Sequence, residues 1–131
     1  MPTAQTCTIT EQRELYEDGW LTEIKWDWSS TDAGAVVAAG GAGVGSTTAR
    51  KYTGYVGECN TVPDAGGTTP AGYTITFYDS IGKPLATKSG ASTTAFESHT
   101  AGHYVVNTTL NIAISGAGDA KGGIAHAYIK E

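Results

Sequence analysis

The segment Trp20-Leu-Thr-Glu-Ile-Lys-Trp-Asp-Trp-Ser29 constrains this chain more than any other, because it alternates with a period of two. Successive side chains of an extended strand leave opposite faces, so Trp20, Thr22, Ile24, Trp26 and Trp28 share one face and Leu21, Glu23, Lys25 and Asp27 the other. Three indoles on one face make a large buried or interface surface, and a sheet core is its ordinary use. The alternation returns in Tyr73-Thr-Ile-Thr-Phe-Tyr-Asp79, with Tyr73, Ile75 and Phe77 on one side. A short turn through Asp79-Ser-Ile-Gly82 then leads into Pro84-Leu-Ala-Thr87, which predicts a hairpin.

The remaining segments carry the same grammar. Thr6–Thr10 reads as a short strand or an extended arm, and Glu11–Asp18, with only Leu15 and Tyr16 to bury, as a turn or strand end. Ser29–Thr48 is rich in small residues and predicts a loop. Arg50–Val62 predicts a strand made irregular at Gly54 and Gly57, since interior glycines mark bulges or close backbone approach. Pro63–Pro70 is turn-forming and Ser89–Gly102 a long polar loop. Strands follow at His103–Val106, Thr108–Ser115 and Gly123–Lys130, the last two joined by Gly116–Gly122 as a hairpin connection. With 131 residues, 18 of them glycine, and no βαβ alternation, the expected fold is all-β: a single antiparallel β-sandwich or jelly-roll-like domain with long Gly-rich loops. Residues 1–19 are set apart as an N-terminal arm or short strand, and 20–131 as the sandwich.

Charge and motifs exclude more than they include. The net charge is −5, and the eight cations are scattered, only Arg50 and Lys51 being adjacent; nucleic acid, which is held by dense Lys and Arg patches, is not an expected partner. No apolar run approaches the length of a membrane span, and the first residues lack the pattern of a secretory signal. The chain is therefore expected in the cytosol where it is made, with Cys7 and Cys59 reduced. Gly40-Gly-Ala-Gly-Val-Gly45-Ser46-Thr47 has the glycine spacing of a phosphate-binding loop, but Ser46 stands where the lysine is needed. His99 and His103 have i, i+4 spacing without a helix to use it. Asp32, Asp64, Asp79 and Asp119 adjoin turns, where an Asp side chain caps backbone. No nucleophile elbow or triad spacing appears, so neither an enzyme nor a cofactor is expected. Trp26 and Trp28 admit a second use as a sugar-stacking platform.

Several stretches, in order, also resemble a group of small structural proteins encoded by tailed bacteriophages. They are Lys25-Trp-Asp-Trp-Ser-Ser-Thr-Asp-Ala-Gly34, Lys51-Tyr-Thr-Gly54, Val62-Pro-Asp-Ala-Gly-Gly-Thr through Asp79, and Leu110–Ile129. The likeness spans roughly residues 20–130 and brings no catalytic residues with it. It implies a virion component, and within the particle a capsid decoration or cement protein is expected. Such a protein binds the outside of the major capsid protein shell, as a dimer or trimer, and holds it against DNA pressure. Alternatives are a tail or head-to-tail connector component and, in another class, a carbohydrate-binding β-sandwich. The candidate contact residues are Thr6, Cys7, Thr8 and Ile9 on an extended arm, with Trp20, Trp26 and Trp28 as anchors if their face lies outside the core.

Overall fold

The computed structural model describes residues 4–16, 19–37 and 45–131. Its eight strands are β1 (Thr6–Tyr16), β2 (Gly19–Ser29), β3 (Tyr52–Pro63), β4 (Thr74–Asp79), β5 (Pro84–Lys88), β6 (Glu97–Thr108), β7 (Leu110–Ser115) and β8 (Gly122–Lys130), with one 3-10 turn at Gly66–Thr68. They form two antiparallel sheets, ordered β1-β2-β8-β3-β6 and β5-β4-β7. The fold is the all-β sandwich that the alternation predicts.

The two layers meet through the faces read from the sequence. Ile24, Trp26 and Trp28 of β2, with Val56, Cys59, Ala125, Ala127 and Ile129, pack against Tyr73, Ile75, Phe77, Leu85, Ile112 and Ile114 from the smaller sheet. Trp26 meets Phe77 edge-on at 5.8 Å, and Trp28 meets Tyr73 at 5.2 Å, the tilted geometry that aromatic quadrupoles favour. The Trp26 indole N–H donates to the Ser46 carbonyl at 2.7 Å, so its one polar atom is satisfied inside the core.

Both expected irregularities of β3 are present, as register shifts between Tyr52 and Gly54 and between Val56 and Glu58. The first shift comes from an extra residue on β6, where Asn107 takes φ 45°. Gly54 itself marks a close approach to β8, since a Cβ there would lie 2.2 Å from the Lys130 carbonyl oxygen. The hairpin of β4 and β5 also forms as expected, its turn held by the Asp79 carboxylate, which accepts from the amides of Ile81 and Lys83.

Three segments differ from expectation. Glu11–Tyr16 is strand, not a turn, and β1 pairs with β2 along its entire length from Thr6↔Ser29 to Tyr16↔Gly19. Its polar inward residues misled the pattern reading because they lie where the smaller sheet does not reach. There the Glu11 carboxylate accepts from the Tyr52 hydroxyl and the amides of Ala49 and Arg50. Arg13 pairs with Glu131 at 3.1 Å. Gly116–Lys121 is no hairpin: it carries the chain from β7 in one sheet to β8 in the other. It is pinned on the way by Ala117 N–H donating to the Gly34 carbonyl and Ser30 Oγ donating to that of Gly118. Third, β6 starts at Glu97, inside the predicted 89–102 loop.

The two flanks of the sandwich are finished differently. On one, Val36 bridges Ile114 of β7 through both backbone bonds, and the Thr48 amide donates to the Leu110 carbonyl. Ser46 Oγ donates to the Ile112 carbonyl. The Gln5 side-chain amide, just ahead of β1, makes two 2.8 Å bonds to the Val37 backbone. Segments 35–37 and 46–50 thus seal the side where β1 and β7 end their sheets. The opposite flank is formed by β5 and β6, joined by the Lys88–Glu97 pair at 3.9 Å near the start of β6 and by Thr108 and Ser80 at its end.

Replacing Gly54 with Ala is expected to lower stability by about 1–3 kcal/mol, the usual cost of overpacking, because the new methyl group meets backbone that cannot step aside. Gly67→Ala, where an added Cβ meets nothing within 4 Å, is expected to stay within about 0.5 kcal/mol of the parent. Urea denaturation of the two variants checks this; equal midpoints would mean the close approach of β3 and β8 is not rigid.

Candidate interaction surface

The proposed contact residues do not come together on one surface. Cys7 faces inward opposite Trp28 and is buried, Ile9 is partly buried opposite Trp26, and Thr6 and Thr8 point to solvent on the other face of β1. They belong to a paired strand and not to a free arm, so removing residues 1–10 strips half of a sheet edge. Trp26 and Trp28 are withdrawn as anchors and as a sugar platform: both are buried, because the face they share with Ile24 is the one that meets the smaller sheet. Trp20 alone keeps access, at 38% exposure, with the Arg13 guanidinium stacked 4.2 Å from its ring centre.

The sites weighed for reactive chemistry resolve into structural roles. Of the glycine-rich stretch, residues 38–44 lie outside the described residues, while Ser46 is buried as the inter-sheet tie described above. His99 and His103 lie on the inward side of β6, and His99 Nε2 is 3.0 Å from the Thr61 hydroxyl. Among the described residues no group of three His, Cys, Asp or Glu side chains is arranged to hold a metal ion. No helix among them is long and apolar enough to cross a membrane. Cys7 and Cys59 are free and buried. β2 and β8 lie between their strands, so three inter-strand steps of about 4.8 Å separate them, beyond the roughly 7 Å a disulfide can span.

The surface that does stand out was missed in the sequence. β6 is the outer strand of the larger sheet, paired with β3 alone. On its outward side Tyr104 is 76% and Val106 75% exposed, and Phe96 just ahead of it is also exposed. At the strand's end the Thr108 hydroxyl accepts from the Ser80 amide at 2.9 Å and donates to the Ser80 hydroxyl. That contact places the β4–β5 turn beside β6, and Ile81 at the turn tip is 86% exposed. The signal was present in His103-Tyr-Val-Val106, but alternation alone does not say which side faces solvent. β5, the other strand on this flank, has five residues with Pro84 and Lys88 at its ends, the usual marks of a protected edge. β6 is twelve residues long, is bulged at Gly102 and Asn107, and between the two bulges exposes the apolar side chains of Tyr104 and Val106.

Compared with known proteins, the chain matches no family model and no curated protein.

Burial governs the titration of the interior. It pushes the Cys7 thiol up to about 12, with help from the charge of Asp27, and the Cys59 thiol up to about 12, with help from Glu58. Burial likewise raises the Tyr73 phenol to about 12 and, together with the bond to Glu11, raises Tyr52. His99 and His126 are lowered, again first by burial, with Glu97 and Glu23 opposing the shift. The signs run opposite ways. For the thiols the folded state holds the proton more tightly, so their stabilisation is complete below the ordinary thiol value of 9.0 and lost as pH rises above it. For the imidazoles the folded state holds the proton less tightly, so stability is lost as pH falls below their ordinary 6.5. A plateau between these limits is expected in urea midpoints measured from about pH 5 to about pH 11. A midpoint that climbs above pH 9 would contradict the buried thiols.

Proposed function

We propose that the protein is a structural component of a tailed-phage particle, a capsid decoration (cement) protein seated on the outside of the major capsid protein shell. One observation carries this reading: the long, open β6 edge with Tyr104 and Val106 exposed, on a sandwich whose other flank is sealed by its own chain. An unpaired strand offers a row of backbone donors and acceptors, and a partner strand can add to it with main-chain hydrogen bonds while neighbouring apolar side chains supply burial. The ordered resemblance of residues 20–130 to phage structural proteins directs the partner toward a virion.

Packaged DNA pushes a shell outward, and a fastener that spans neighbouring subunits must be peeled off before they part. A standard interface of about 1,200–2,000 Å², repeated over a symmetric lattice, resists that load without any single contact being strong. Self-association as a dimer or trimer lets one molecule bridge several subunits. The part is made in the host cytoplasm and ends on the capsid exterior. No reactive group is required.

Quantifying the protein in purified particles tests the assignment: hundreds of copies fit cement, whereas roughly 3–12 fit a tail or head-to-tail connector ring. Replacing Val106 with Asp and Tyr104 with Ser, both outside the core, is expected to reduce shell occupancy at least about tenfold, which is about 1.4 kcal/mol, while leaving the urea midpoint unchanged. Full occupancy by this double variant would exclude the β6 edge as the attachment surface.

A further inference from the structure

We infer that the outer face of the larger sheet carries a binding groove for a neutral carbohydrate, centred on Tyr128. The groove is centred on β8 and β3 and not on the β6 edge, and binding there does not depend on attachment to a shell.

The groove follows from register. Leu21, Lys130, Tyr55 and Tyr104 stand side by side across β2, β8, β3 and β6, and Glu23, Tyr128 and Glu58 form the next row. All leave the sheet away from the core. Between them lies a hollow of about 420 Å³ lined by Leu21, Tyr55, Gly57, Glu58, Tyr128 and Lys130, within the roughly 300–1,000 Å³ of small-ligand clefts. A smaller hollow of about 80 Å³ adjoins it, sharing Leu21 and Tyr128 and adding Gln12, Glu14 and Glu23. The two make one trough across the sheet. Gly57 sits at the β3 bulge, so its missing side chain leaves the floor open; a Cβ there would come no nearer than 3.4 Å, to the Tyr55 ring. His126 stacks on Tyr128 at 6.2 Å with the planes 17° apart, which steadies the central ring.

The chemistry of the lining selects the ligand. Tyr128, Tyr55 and Leu21 offer apolar area of the kind that packs against the C–H face of a pyranose. The carboxylates of Glu14, Glu23 and Glu58 accept hydrogen bonds, the Gln12 amide donates and accepts, and the Lys130 ammonium donates. Hydroxyl groups, which do both, match this mixture. Three carboxylates against one ammonium oppose phosphate, sulfate or an acidic sugar. A wholly apolar ligand would desolvate the carboxylates without replacing their hydrogen bonds. Lys130 in the wall works against a cationic peptide, the remaining competitor for rings beside acids.

The test is an amide-shift titration of the isotope-labelled full chain with maltotetraose, cellotetraose, mannotetraose and N-acetylchitotetraose, and separately with tetralysine. Shifts at Leu21, Tyr55, Gly57 and Tyr128 with at least one of the sugars are expected. Tyr128→Ala, which loses the ring, and Gly57→Leu, which fills the floor, are each expected to weaken that binding at least about tenfold, while Tyr128→Phe stays within about threefold. Unchanged amide spectra of the variants away from the groove show that the fold is intact, and if Tyr128→Ala does not fold, Gly57→Leu decides alone. Silence toward all four sugars, shifts confined to another surface, or a response to tetralysine alone would each overturn the assignment.

Discussion

Two edge-to-face contacts between the layers, Trp26 on Phe77 and Trp28 on Tyr73, fix the rest of this structure. Because side chains alternate strictly along a strand, slipping β2 by one residue would turn both indoles out to water and bring Lys25 and Asp27 into the core. Nothing in a small sandwich offsets that loss. β2 pairs with β1 on one side and β8 on the other over nearly their full lengths, so its register passes directly to both neighbours and through β8 to β3. Indoles packed between the layers thus set which residues reach each surface of the larger sheet.

The layers are unequal, and the inequality explains where polar residues were placed. Strands of up to twelve residues face strands of five or six, so one end of the larger sheet's inner face has no partner layer. Thr22, Glu11, Arg13, Arg50, Tyr52 and Glu131 occupy it. The Thr22 hydroxyl donates to the Glu131 carboxylate at 2.9 Å, and Arg13 and Arg50 pair with the same carboxylate at 3.1 and 3.6 Å. Partly exposed ion pairs contribute little individually. Their effect here is to satisfy one another at a face that is neither dry nor fully wet, which an apolar cluster could not do without inviting association.

How much was legible in the sequence follows from the same physics. Period-two segments with large residues, Trp20–Ser29 and Tyr73–Asp79, announced their strands and which residues share a face. The use of the indole face, as core or as contact surface, was decided only by the smaller sheet that covers it. Gly57 announced the bulge of β3 against β8, and Gly54 the close approach of the same two strands. β1 beyond Thr10 was hidden because its inward side carries Glu11 and Arg13, whose partners Tyr52, Arg50 and Glu131 are distant in the chain. The crossing at Gly116–Lys121 was read as a hairpin because a Gly-rich link between two strands looks the same whether it turns back within a sheet or passes to the other layer. Ser30, Thr31, Gly34, Gly67 and Ala71, which hydrogen-bond to it, distinguish the two. The outer-face groove was beyond reach for the same reason: Leu21, Tyr55 and Tyr128 meet through the β2-β8-β3 order, and strand order is set by packing rather than by any local pattern.

The edge and the groove belong to one sheet but present different atoms. Attachment at β6 uses backbone groups pointing sideways in the plane of the sheet together with the Tyr104 and Val106 side chains at its margin, whereas the groove uses side chains standing perpendicular to the sheet over β2, β8 and β3. A strand added beyond β6 would lie about 4.8 Å farther out and would extend the face instead of covering it. Tyr104, already touching Tyr55 at 5.1 Å, would then change from an edge residue into an interior position of the widened face, continuing the row that starts at Leu21. A partner bound at β6 therefore leaves Tyr128 and its surroundings open to solvent, and the ring contact between Tyr55 and Tyr104 gives the two surfaces a direct physical link.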